Sequence, residues 1–64
     1  MTNLKRIRRE SGLTQAGLAE KSGVNVRMIQ HYEQGQKPIN SAEALTVYKL
    51  AKALDCTVEE LLEL

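Results

Sequence analysis

Four side chains between Val26 and His31 could meet a ligand. Val26 offers an apolar surface, while Arg27, Gln30 and His31 offer hydrogen-bonding groups. Each type suits one piece of a nucleic-acid surface. Valine can touch a thymine methyl, arginine can fork onto guanine O6 and N7, and glutamine or histidine can bond adenine or a phosphate. Catalytic chemistry has no such set. The chain has no paired carboxylates, no nucleophile–base pair, and a single histidine without a triad or ligand partner. Cys56 has no second cysteine, and no histidine lies near it in sequence, so it reads as a small buried residue rather than a metal or redox group. The two tyrosines, Tyr32 and Tyr48, read as core or core-edge, since single-strand binders usually present more aromatic surface.

The elements that must position the four side chains lie between Thr14 and Gly35. Thr14 is a good N-cap for a helix that carries Leu18 and Ala19 on one side and ends near Lys21 or Ser22. Gly23 follows and can close that helix at a sharp corner. Val24 should enter the core, and Asn25 caps the next helix. Ile29 and Tyr32 then point inward, with Met28 beside them, while Arg27, Gln30, His31 and Gln34 point away. Gly35 ends this second helix. Ala19 is small enough to let the two helices approach closely. Two helices with a glycine turn make a helix-turn-helix, a unit suited to placing its second helix in the major groove of duplex DNA.

Three further helices complete an all-α reading. The first runs from about Asn3 to Ser11, with Thr2 or Asn3 as cap, Gly12 as terminator and Leu4 and Ile7 inward. Residues 34–40 form the longest break, marked by glycine, proline and asparagine. Asn40 with Glu43 resembles a capping box and predicts the start of helix 4, which continues to about Leu54 with Val47, Leu50, Ala51 and Leu54 in the core. Thr57 with Glu60 predicts a second capping box and a short fifth helix, with Val58, Leu61 and Leu62 inward.

At 64 residues the chain reads as one domain, 1–64, near the lower limit for folding without staples. The lone cysteine allows no internal disulfide, and neither a signal peptide nor a membrane-length apolar run is visible. These features predict a cytoplasmic protein. Net charge is only +1, but its distribution is uneven. Residues 1–37 hold seven Lys/Arg against three Glu, and residues 38–64 hold two Lys against five Asp/Glu. The basic half contains the helix-turn-helix, as a DNA-facing surface should.

LKRIRRESGLTQ at 4–15, LAEKSGV at 18–24, MIQHYEQG at 28–35 and LAKALDCTVEELL at 50–62 together resemble the Cro/repressor-type (Xre-family) helix-turn-helix domain. The resemblance covers essentially the whole chain and implies a five-helix, lambda-repressor-like bundle of bacterial or phage type. It implies sequence-specific binding of double-stranded DNA, transcriptional regulation as a repressor, and no cofactor. Val26 and Arg27 match the first two base-reading positions of the recognition helix, and His31 matches a base- or phosphate-contacting position; Gln30 lies on the same face. Gln15 matches a phosphate-binding position at the start of helix 2. Asn25, Arg6, Arg9 and Lys37 are the other phosphate candidates. Arg8 and Glu33 match a pair that locks the recognition helix to helix 1.

The chain departs from the pattern at three places. The connection between helices 3 and 4 is longer than in common members, as in one subgroup. Gly17 stands inside helix 2, where glycine costs roughly 0.5–1 kcal/mol relative to alanine, either tolerated or allowing a close backbone approach. Asp55 replaces the glycine expected after helix 4, and can visit the left-handed region at some cost. The chain's final LLEL places Leu64 beyond a core already served by Leu61 and Leu62, which predicts a homodimer through the C-terminal helices. The competing function is a protein-interaction module with secondary DNA binding, because some relatives are antitoxins or adaptors with a protein partner.

Overall fold

The computed structural model describes residues 1–64 and contains five α-helices and one 3-10 turn. The helices are α1 (Asn3–Glu10), α2 (Gln15–Ser22), α3 (Val26–Glu33), α4 (Ala44–Leu54) and α5 (Val58–Leu61). The 3-10 turn, Ile39–Ser41, lies in the connection between α3 and α4. The family expectation of an all-helical bundle is met.

Caps set most of these boundaries. Thr2 accepts from the Lys5 N–H at 3.2 Å and starts α1. Thr14 accepts from the Gly17 N–H at 2.9 Å and starts α2. Asn25 accepts from the Arg27 N–H at 2.7 Å and starts α3. In each case a side-chain oxygen satisfies a first-turn donor that the helix itself leaves unpaired. Gly23 closes α2 at φ 76°, and its N–H donates to Ala19 O. A side chain there would meet the left-handed penalty, so the corner into α3 depends on glycine.

The packing forms a closed ring. α1 rests on α3 and α5, α3 on α2, α2 on α4, and α4 on α5. Leu4, Leu18, Ile29, Val47, Leu50 and Leu61, drawn from all five helices, are fully buried at the centre. Val24, the residue after the turn, is buried with them. Val58 and Leu62 pack against this core only partly, leaving Leu61 as the main anchor of α5.

Two expectations fail, one in the α3–α4 connection and one on α4. Asn40 does not cap α4. Its amide donates to Glu63 O at 2.9 Å and its carbonyl accepts from the Glu63 N–H at 2.8 Å. The chain forms a 3-10 turn there because Ile39 is drawn into the core, 3% exposed, and α4 begins only at Ala44. Glu43 occupies the cap position without a side-chain bond. Tyr48 is the other correction. It is 52% exposed, because the face of α4 that packs inward is set by Val47, Leu50, Ala51 and Leu54, leaving Tyr48 on the opposite side. The Thr57–Glu60 capping box is present in full.

Candidate nucleic-acid interface

α3 presents one face to the core and one to solvent. Ile29, Tyr32 and Glu33 are buried, and Met28 is partly buried beside them. Val26 and Arg27 are exposed, while Gln30 and His31 are half-buried on the outer side. A helix turns 100° per residue, so Arg27 and His31, four apart, stack on one stripe, with Gln30 beside it. The structure therefore brings the four residues together on one surface.

The inner face is held by a buried ion pair. Arg8 Nε donates to Glu33 Oε2 at 2.6 Å and Nη2 donates to Oε1 at 3.1 Å, a forked arrangement between α1 and α3. The third guanidinium nitrogen donates to Leu13 O at 2.7 Å. The side chains are 11% and 1% exposed. A charge pair this deep is tolerable only when its remaining hydrogen-bonding capacity is met, and here Gln15 helps to meet it. Gln15 Nε2 donates to Glu33 Oε1 at 3.0 Å. Glu33, with no proton to give, fixes which end of the Gln15 amide faces it. Gln15 Oε1 is left turned toward Gln30 Nε2, 3.5 Å away. The sequence carries no signal for these two contacts, since they join residues 18 and 15 positions apart.

Gln15 is the first residue of α2, at the end of a helix where backbone N–H groups lack helical partners. Its second amide N–H and that helix start remain available to an anion. Asn25 uses its oxygen on the Arg27 N–H, leaving its amide nitrogen free to donate. Lys37 is exposed just past α3, where its backbone N–H donates to His31 O at 3.3 Å. Arg9 is exposed and makes no ion pair. Arg6, three residues before Arg9 on α1, is exposed on the same side of the helix but is partly engaged. It pairs with Glu10 at 3.5 Å and reaches Asn3 Oδ1 at 3.4 Å. Two residues from Arg8 along a helix, it points to the opposite side of α1 from that residue.

Cys56 is half-buried and its thiol is pushed up from the usual range, first by burial and then by the Glu60 and Asp55 carboxylates. That environment disfavours the thiolate, the reactive form. No helix is long and apolar enough to cross a membrane.

The family model described as "Helix-turn-helix" matches residues 4–61. A relative, the uncharacterized HTH-type transcriptional regulator y4dJ of Sinorhizobium fredii (strain NBRC 101917 / NGR234), is 35% identical over 60 residues, covering 94% of this chain and 74% of the relative. No solved structure matches the chain. The chain belongs to the helix-turn-helix family of the Cro/repressor (Xre) type, whose members are DNA-binding and non-enzymatic.

Proposed function

We propose that the chain is a transcriptional repressor that reads the major groove of duplex DNA with α3. The observation that carries this reading is the division of α3 into an anchored inner face, held by Arg8 and Glu33, and an outer face bearing Val26, Arg27, Gln30 and His31. Arg27, Gln30, His31 and Val26 meet base edges. Gln15, Asn25, Arg9 and Lys37 hold the backbone, with the start of α2 directed at one phosphate. The similar protein y4dJ is described as a transcriptional regulator, which supports the regulatory role. On this reading the protein acts in the cytoplasm.

The chain measures 23 × 22 × 21 Å, less than the roughly 34 Å between half-sites on DNA. One copy therefore covers one half-site, and a two-fold dimer through the C-terminal helices supplies the second. Leu64, 95% exposed, is the apolar group such a contact would cover. Sedimentation with and without a palindromic site tests it, and a monomer under both conditions removes the dimer.

Selection of bound sites from a random duplex library, joined to a salt titration on random DNA, tests the main reading. The result expected is an enriched operator and an affinity that falls steeply with salt as phosphate-bound counterions are released. Little binding at any salt favours a second reading, a protein-interaction module. The observation behind that alternative is the exposed pair Leu45 and Tyr48 on α4, 61% and 52% accessible.

A further inference from the structure

We infer that His31 meets DNA purely as a hydrogen-bond donor, through Nε2–H, and so selects base edges that carry an acceptor. The inference rests on the reading of α3 as the recognition helix. Its starting point is one atom. His31 Nδ1 is buried and has no hydrogen-bond partner, the only buried side-chain nitrogen or oxygen in the chain left in that condition.

A neutral imidazole carries one N–H and one bare nitrogen. A proton on Nδ1 would be a donor buried without an acceptor, the kind of orphan that folded proteins almost never keep. A bare lone pair at the same place is the less costly arrangement. The proton therefore belongs on Nε2, which makes no bond within the chain and is not among the buried unpaired atoms. His31 thus turns a donor outward and keeps its acceptor inside.

The residue one turn earlier on the same stripe is Arg27, which has donors only. The Arg27–His31 stripe consequently offers donors and no side-chain acceptor. In the major groove guanine presents two acceptors, N7 and O6, and thymine presents O4. Cytosine presents an amine, and adenine sets an amine beside its N7. The stripe fits guanine with two acceptors and thymine O4 or adenine N7 with one, and meets the N4 amine of cytosine donor to donor, so cytosine is the base it disfavours.

Two measurements on the whole chain test this. The first needs no DNA. Long-range proton–nitrogen NMR correlations of the neutral ring, at alkaline pH, identify which nitrogen carries the proton. Nε2–H is expected, and Nδ1–H overturns the inference. The second is selection from a random duplex library with the wild type, His31→Gln and His31→Asn. Glutamine carries an amide N–H to about the reach of Nε2, whereas asparagine stops near Nδ1. The wild type should prefer an acceptor-bearing base over cytosine at one base pair, about tenfold, and His31→Gln, whose amide adds an acceptor beside its donor, should admit cytosine there. His31→Asn should lose that preference and keep the rest of the site. A preference that survives in His31→Asn overturns the inference. So does an equal loss on selected and random DNA, which would assign His31 to a phosphate. If the wild type enriches no sequence, the recognition-helix reading falls and base selection by His31 falls with it; the ring's tautomer is still read independently by NMR.

Discussion

Arg27 and Arg6 carry the same charge and differ only in where the fold puts them. Arg27 stands free in the first turn of α3, while Arg6 is turned to Glu10 and Asn3. Arg27→Ala should cost about 1–3 kcal/mol on the selected operator and relax preference at one base pair. Lys37→Ala should weaken all sequences alike and lower the salt slope by about one unit. Arg6→Ala should act in the same way but more weakly, because Glu10 shares its charge, as titrations on operator and random duplexes would show. The Arg8–Glu33 pair acts inside the protein instead. Its four hydrogen bonds to Glu33 and Leu13, with Gln15 included, leave both charges compensated. Glu33→Ala strands a buried guanidinium and should cost about 3–5 kcal/mol of stability. A double-mutant cycle with Arg8→Ala, measured by denaturant unfolding, should show strong coupling, and additive losses would contradict the ion pair's role.

The helices differ in what holds their ends. α5 has one turn and depends on its capping box. Thr57 Oγ1 accepts from the Glu60 N–H at 3.2 Å, and Glu60 accepts from the Thr57 N–H at 2.9 Å. The Thr57 backbone N–H, then its hydroxyl, and more weakly the Arg6 charge, hold the Glu60 carboxyl below the usual glutamate range. A lowered folded-state value means that this contribution is present above the unfolded value and fades as pH falls through the folded one. Amide exchange at Thr57 should therefore accelerate, relative to the core amides, below the ordinary glutamate range. Glu60→Gln should remove that dependence. α2 has the opposite problem, an interior glycine. A Cβ on Gly17 would lie 3.2 Å from Thr14 Oγ1, the oxygen that caps α2 by accepting from the Gly17 N–H, so the cap must give by a few tenths of an ångström to admit it. The gain in helix propensity prevails, and Gly17→Ala should raise stability by at most about 0.5–1 kcal/mol in thermal or denaturant unfolding.

At the scale of the molecule, the C-terminal end of the chain meets both the start of α1 and the loop between α3 and α4. Asn3 donates to Leu62 O at 2.8 Å, and Asn40 makes reciprocal bonds with the Glu63 backbone. These contacts close the ring of helices by tying the segment after α5 to the start of α1 and to the 3-10 turn. Asn40→Ala removes two exposed hydrogen bonds and should cost about 1 kcal/mol. Its local signature is faster amide exchange at Glu63, with protection in α2 and α3 unchanged. Equal protection at Glu63 in the variant and the parent would refute the tether.

Local chemistry determined much of this protein. The Thr14, Asn25 and Thr57 caps, the Gly23 corner and the apolar periods of α1, α3 and α4 are short-range features, legible because each residue acts within a few positions of itself. The outer face of α3 was legible for the same reason, since 3.6-residue periodicity sorts Ile29 and Tyr32 from Arg27 and His31. Asp55 was legible as a departure, and it does close α4 in the left-handed region at φ 55°. What only the tertiary structure decided involves partners distant in sequence. Asn40 had a local partner in Glu43 on paper but found Glu63, 23 residues away, once Ile39 was drawn into the core. Tyr48 was left outside because Val47 and Leu50 already faced the buried side of α4. Gln15 could be placed at a helix start from sequence, but its bonds to Glu33 and Gln30 exist only where α2 crosses α3. The bare Nδ1 of His31 belongs to the same class, because burial of a single atom depends on everything packed around it.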